Sequence, residues 1–299
     1  MNNSNETPLI SVIMPAYNAS LFINASIKSF VNQTYPNKEL IIVDDGSTDD
    51  LFNKVESALQ SHSNIKYIRQ KNSGVSAARN NAIRETNGEW IAFLDADDIW
   101  YEGKLETQWK EMTGFNWSHT DSHYFGAGYE HQPKRSDLSE MCEGDVFLSL
   151  LQENFITTSS VLIRKDILVN AGQFDESLEA LEDWRLWLSI AAKHPLKYVP
   201  KALLDYRVHA ASTSRKARKM LPLHLEVIDK ALSTVDAEDK KRLKKHAYSS
   251  AYTIMSYVAE YSGDQMFSIR CAFNAWLLDS FSLKKIKRII SSCIALRPF

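Results

Sequence analysis

The sequence predicts an α/β protein: a mostly parallel sheet flanked by helices, followed by a helical C-terminal extension. Three observations carry this. Apolar runs and stretches with helical spacing alternate four times within the first hundred or so residues, the pattern of consecutive βα units. Three of the apolar runs end in polar turns, Pro15-Ala16-Tyr17-Asn18, Asp44-Asp45-Gly46-Ser47 and Asp95-Ala96-Asp97-Asp98. Beyond Ser214 the spacing is helical, with no strand pattern.

Residues 9–14 predict the first strand, stopped by Pro15. Ile23, Ile27, Phe30 and Val31 recur at helical spacing, and Pro36 marks the break after them. Leu40 to Val43 predicts the second strand. Leu51, Val55, Ala58 and Leu59 predict the next helix, Ile65 to Ile68 the third strand, Val75 to Ile83 the third helix and Trp90 to Leu94 the fourth strand. Right-handed crossovers then place the ends of strands one, two and four on one edge of the sheet. After Trp100 the pattern is less regular: helical at Val146 to Leu151, extended at Ser159 to Ile163, an amphipathic helix through Leu181, Trp184, Leu188 and Ala191, and extended again at Leu203 to Val208. The expected division is residues 1–215 for the α/β domain and 216–299 for the helical region.

Composition sets limits. Of 299 residues, 44% are apolar and 24% charged, ordinary values for a globular chain with a real core. Cys142, Cys271 and Cys293 are widely spaced, without metal-ligand spacing, so reduced thiols and a cytoplasmic setting are expected. The polar start, Met1 to Pro8, lacks the apolar core of a secretion signal. No apolar run reaches membrane-spanning length. Residues 210–299 carry 16 Lys+Arg against 8 Asp+Glu, whereas residues 1–209 carry 19 against 29. An acidic body with a basic tail suits a tail that meets an anionic surface.

The densest chemistry lies in Trp90 to Asp98, an apolar run ending in three carboxylates within four positions. Carboxylates crowded at a strand end repel one another and lose solvation, which a divalent cation relieves. Oxygen donors of this kind suit Mg²⁺ or Mn²⁺. The carboxyl end of a strand in an open α/β sheet is also where ligands bind. A metal-assisted site for a phosphate-bearing substrate is therefore expected.

The chain resembles the family-2 glycosyltransferases, which have the GT-A (Rossmann-like) fold and transfer a sugar from a nucleotide donor. The matching blocks are Ser11 to Asn18, Ile41 to Asp49, Asn72 to Asn80, Phe93 to Asp98, Leu181-Glu182-Asp183-Trp184 and Tyr206-Arg207-Val208-His209. They occur in the family's order over roughly residues 9–213.

The resemblance implies roles. Asp45, supported by Asp44, accepts a hydrogen bond from the nucleotide base, with Pro15 and Tyr17 lining the same pocket. Arg79 sits among small residues, Ser76-Ala77-Ala78, and faces the diphosphate or the nucleoside, or else forms a salt bridge with a nearby carboxylate. Asp95-Ala96-Asp97 is the Asp-x-Asp motif: Asp95 contacts ribose or metal, Asp97 binds Mn²⁺ or Mg²⁺, and Asp98 orients them or caps the next helix. His209 completes the metal shell. Asp183 is the general base that deprotonates the acceptor hydroxyl, with Glu182 beside it contacting the acceptor or raising the proton affinity of Asp183. The anomeric configuration inverts. The donor is expected to be a UDP-sugar, and the acceptor a glycan or lipid-linked precurser of bacterial surface polysaccharide, with no nucleic acid involved. Residues 283–297, a basic amphipathic helix, are expected either to touch an anionic membrane on its cytoplasmic face or to pack on the body. Two other classes stay open on the sequence: a sugar nucleotidyltransferase, although Pro15 to Asn18 has neither glycine nor lysine, and a non-catalytic binder of the same fold.

Overall fold

A computed structural model describes residues 7–129, 131–209, 216–279 and 283–294, excluding the side chains of residues 234, 283–285, 293 and 294. The chain divides into two units. The first comprises residues 1–146, 155–177 and 189–209, the second 147–154, 178–188 and 210–299.

The first unit holds one eight-stranded sheet. Its strands are β1 (Ile10–Ala16), β2 (Lys38–Asp44), β3 (Ile65–Arg69), β4 (Trp90–Phe93), β5 (Ile99–Trp100), β6 (Trp117–Gly126), β7 (Leu162–Arg164) and β8 (Lys197–Val208). Their order is β3-β2-β1-β4-β7-β6-β8-β5. The β3, β2, β1 and β4 run is parallel. β7 is antiparallel to β4 and β6, and β6 returns to a parallel pairing with β8. Helices α1 (Ile23–Val31), α2 (Leu51–Ser61) and α3 (Val75–Glu85) make the crossovers, and α4 (Lys104–Glu111), α5 (Arg135–Leu138) and α7 (Lys165–Asn170) complete the unit. The core is built from the strand faces, among them Ile10, Val12, Met14, Leu40, Ile42 and Ala92, closed by Ile23, Phe30, Leu51 and Val55 from the helices.

The first strand extends past its expected stop, through Pro15 to Ala16. β4 pairs with β1 only as far as Ile13 opposite Phe93. Backbone groups alternate sides along a strand, so the missing N–H of Pro15 falls on the β4 side, beyond the last rung. Two longer differences follow from composition. Trp117–Gly126 was not expected as a strand, because Ser118, His119, Thr120, Asp121 and Ser122 are all buried and erase the apolar alternation. β8 begins at Lys197 rather than Leu203; Pro200 and Lys201 break the apolar run, and its register against β6 shifts at Thr120/Asp121.

Lys104 on α4 is fully buried. Its Nζ donates to Gln108 Oε1 at 2.8 Å and lies 4.2 Å from the centre of the Trp100 ring, with no carboxylate partner among the described residues. Burial lowers its pKa to about 7. The unfolded lysine holds its proton to the ordinary range near 10.5, so the unfolded state binds more protons between about 7 and 10.5 and stability rises with pH across that window. Lys104→Met is expected to raise stability by about 1–3 kcal/mol at pH 6. That gain should shrink as pH climbs from about 7 to 10.5, which urea denaturation at several pH values checks.

The second unit is helical: α6 (Phe147–Gln152), the first part of α8 (Glu182–Ala191), α9 (Ala217–Ala231), α10 (Ala237–Tyr261), α11 (Gln265–Leu278) and α12 (Leu283–Ile294). Met220, Met255, Ala259 and Cys271 form its centre. Among the described residues no helix is long and apolar enough to cross a membrane.

Candidate active site

The carboxyl ends of β1, β2 and β4 lie on one edge of the sheet, as the parallel order requires. After β1 the backbone turns at Asn18, whose φ of 49° is left-handed, a conformation asparagine tolerates. Asn18 Oδ1 accepts from Thr48 N at 2.8 Å, and Asn18 N donates to Ser47 Oγ at 3.0 Å. The loops after β1 and β2 are thereby laced together, leaving Tyr17 52% exposed and Pro15 buried.

Asp44 and Asp45 are both buried and divide their work. Asp44 accepts from Ser47 N at 2.7 Å and Tyr67 Oη at 2.6 Å. Burial, and then this bond to Asp44, pushes the Tyr67 hydroxyl pKa up. Asp45 accepts from Gln70 Nε2, Ser73 N and Gly74 N, each at 2.8 Å. The last two amides lead into α3, where a carboxylate meets the positive end of the helix dipole. Three donors on a carboxylate with about four acceptor positions leave about one for a ligand. Gly46, directly after them, has φ +75°, and a Cβ there would meet Asn72 N at 2.8 Å, so glycine is required.

Arg79, buried on α3, donates to Asp95 Oδ1 at 2.9 Å. Its guanidinium lies 5.1 Å from the centre of the Phe174 ring. Asp97 Oδ2 and His209 Nε2 stand 2.7 Å apart. Among the described residues no three His, Cys, Asp or Glu side chains converge as a closed metal cage. Asp97 and His209 meet, while Asp95 turns to Arg79 and Ala96 is buried between the two aspartates.

A strut that sequence reading did not place holds this turn. Asp98 is fully buried. Its carboxylate accepts from Ser159 Oγ at 2.5 Å and Arg207 N at 2.9 Å. Ser159 Oγ also accepts from Asp95 N at 3.1 Å, and Arg207 Nε donates to Asp97 O at 3.0 Å. The Arg207 guanidinium sits between the Phe22 and Phe125 rings, at 4.6 and 4.3 Å. The Asp95–Asp98 turn, the segment around Ser159 and the end of β8 are thus tied into one body. Burial, then the charge of Asp97 and that of Asp95, pushes the Asp98 pKa well above the usual carboxylate range. Asp97 is raised for the same reasons, burial first and then Asp95, with His209 opposing. Crowded carboxylates, with the proton affinity of Asp97 and Asp98 raised, are a binding site for positive charge.

Asp183 and Glu182 lie in the second unit, on the first turn of α8. Asp183 accepts from its neighbour Trp184 N at 2.6 Å and from Asn154 Nδ2 at 3.4 Å. Leu181, just before them, has φ 65°, a conformation that costs a non-glycine residue on the order of 1–3 kcal/mol. Trp184 is buried and donates to Leu150 O at 2.7 Å; Trp187 is buried too, so neither indole offers a free face.

Comparison with known proteins bears directly on this edge. The model of the family described as glycosyl transferase family 2 matches residues 11–184, which include all three polar turns and Asp183. The chain belongs to that family. An uncharacterized glycosyltransferase of Rickettsia conorii is 36% identical over 207 residues, covering 69% of this chain and 34% of its own length. The chain therefore spans about one third of that relative. The UDP-Glc:alpha-D-GlcNAc-diphosphoundecaprenol beta-1,3-glucosyltransferase WfgD of Escherichia coli is 33% identical over 225 residues, covering 74% of this chain and 85% of WfgD. Among solved structures, S. aureus TarS 1-349 in complex with UDP-GlcNAc superposes with a TM-score of 0.66 at 17% identity, over 95% of this chain and 88% of that one. The mannosyltransferase PcManGT from Pyrobaculum calidifontis, in complex with GDP-Man and Mn2+, gives 0.63 at 16%, over 98% and 86%. These likenesses establish the GT-A fold for this chain.

The strut yields an expected result of its own. Ser159→Ala leaves the buried Asp98 carboxylate with one donor fewer. Under the metal-site expectation of the sequence, Mn²⁺ affinity should fall about 10–100-fold, as when a group that orients a metal ligand is lost, beside a stability loss of about 1–3 kcal/mol from the buried groups left short of a partner. Titration calorimetry measures both wild type and variant; equal affinities would remove the strut from the site.

Proposed function

We propose that this glycosyltransferase moves a sugar, with inversion, from a UDP-sugar to a hydroxyl of a glycan or lipid-linked acceptor in bacterial surface polysaccharide biosynthesis. The observation that carries the reading is the meeting of Asp97 and His209 at 2.7 Å, beside an aspartate held by a buried arginine. A divalent cation fits this arrangement. Mn²⁺ or Mg²⁺ commonly takes one or two protein donors and fills its remaining positions with water and phosphate oxygens. Asp97 and His209 would hold it, with Asp95 in reach of the ribose or of the same ion. Bound there, the ion stabilises negative charge on the departing nucleoside diphosphate.

The remaining steps belong to the protein's own side chains. Tyr17, Pro15 and the remaining acceptor position of Asp45 receive the base, with Asp44 holding their turn. Arg79 fixes Asp95 and adds positive charge on the diphosphate side. Asp183 takes the proton of the acceptor hydroxyl. The freed oxygen attacks the anomeric carbon opposite the diphosphate, the new glycosidic bond forms as the carbon–diphosphate bond breaks, and the configuration inverts. Glu182 lies beside the base and orients the acceptor. Catalysis is assigned to residues 1–215, and the basic helices of 216–299 to partner or membrane association, with residues 283–297 touching an anionic cytoplasmic leaflet; of these, 295–297 lie outside the described residues.

The names of the relatives support parts of this reading: WfgD uses UDP-Glc and a lipid diphosphate acceptor, and the PcManGT complex contains Mn2+. The test is release of free UDP from a panel of UDP-sugars, with and without Mn²⁺, in the presence of lipid-linked and soluble glycan acceptors. Mn²⁺-dependent UDP release is expected. Pyrophosphate release would mean nucleotidyl transfer, and binding without turnover a non-catalytic protein.

A further inference from the structure

Helix α11 carries an apolar stripe that its own unit does not cover. Ser268, Cys271, Ala272 and Ala275 face inward and are buried. On the opposite face Met266, Phe273 and Leu277 are 69, 47 and 53% exposed, with exposed Arg270 among them. Positions 266, 270, 273 and 277 share one side of a helix. α11 contains no acidic residue. Helix α12 is set beside it in a defined rotation. Arg288 is buried, donates to Ser256 O at 2.8 Å and Ser268 Oγ at 3.1 Å, pairs with Glu260 and stacks on Tyr257. That inward arginine leaves Ile286 and Ile290 outside, 39 and 54% exposed, with Lys287 exposed between them. From Gln265 to Ile294 there are five basic residues and one acid, Asp279.

We propose that the outer faces of α11 and α12 form a docking surface for an anionic phospholipid bilayer, with α11 lying in the interface. Apolar side chains enter the headgroup boundary while the Arg270 stem lies along them and its guanidinium reaches lipid phosphate. Charge decides between occupants. A second copy pairing symmetrically through this face would set cation against cation, with no carboxylate on either face to compensate; an anionic leaflet supplies the missing charge. Neither helix is long and apolar enough to cross, so the contact is peripheral. The inference deepens the membrane placement proposed above by adding α11 to it.

The experiment is sedimentation of the full chain with vesicles of phosphatidylcholine alone, or of phosphatidylcholine and phosphatidylglycerol in equal parts. The wild type should bind the anionic vesicles and lose binding in high salt. The double variant Phe273→Glu/Leu277→Glu should bind them about tenfold or more weakly, with unchanged circular dichroism. Leu21→Glu, at the most exposed leucine of the first unit, should bind like wild type. If the wild type binds neither vesicle, both this surface and the membrane placement fall. If the wild type binds and only Lys287→Glu weakens it, the placement stands and the role of α11 falls. A dimer in analytical ultracentrifugation that the double variant abolishes, without vesicle binding, would overturn the proposal in favour of self-association.

Discussion

Asp183→Asn is expected to abolish transfer almost completely while leaving donor binding close to wild type. The amide matches the carboxylate in shape and can still accept from Trp184 N, which now bonds the side chain at 2.6 Å, so the first turn of α8 should persist. What the amide cannot do is take a proton. General-base assistance contributes on the order of 10²–10⁴-fold, and kcat should fall by that factor with little change in UDP-sugar affinity. The contrast between the two readouts makes the assignment testable. A variant that merely unfolds α8 would lose melting temperature as well. A variant with wild-type turnover would show that another group receives the proton, with Glu182 the next to substitute.

Asp97→Ala is the second large effect. It removes one of the two donors that meet at 2.7 Å and lifts a repulsive neighbour from Asp98. Transfer should drop on the order of 10²–10³-fold, the scale on which losing one preorganised stabiliser of developing charge is felt. The fold itself should tolerate the change or gain from it. In the wild type the raised pKa of Asp97 means the native state binds more protons than the unfolded chain just above the ordinary aspartate range, so ionising it costs stability as pH rises through that window. A bound cation must displace that proton, so Mn²⁺ affinity of the wild type should weaken as pH falls through the raised pKa. The alanine variant should bind weakly at every pH. Titration of UDP affinity against Mn²⁺ at several pH values checks both statements. Unchanged affinity in the variant would reject Asp97 as a ligand.

The parallel half of the sheet was legible because each strand is a short apolar run closed by a turn signal, and Trp90 to Asp98 exposes its chemistry on its face. Much of the rest was written in contacts that no local pattern reveals. Ser159 and Arg207 reach Asp98 across 61 and 109 positions. A reader of the sequence sees the three acids but not what holds them. β6 hides because its buried residues include serine, histidine, threonine and aspartate, and what holds the polar ones comes from distant neighbours: Asp121 accepts from Ser136 Oγ at 2.7 Å and Gln108 donates to Ser118 O. The rotation of α12 was equally out of reach. Helical spacing groups Ile286 with Ile290, but only the reception of Arg288 by Ser256, Ser268 and Glu260 says which way they point. The left-handed Leu181 at the entrance to α8 has no signature either, since leucine rarely adopts that conformation.

The family-matched region ends at residue 184, yet β8 starts at Lys197, supplies the amide that steadies Asp98 and leads directly into His209, whose imidazole meets Asp97. A recombinant fragment trimmed to that match would strand β5 and the long edge of β6 without their partner, inviting aggregation. Any shortened form meant for crystallisation or display therefore has to run past His209, or it will carry the aspartates without the means to use them.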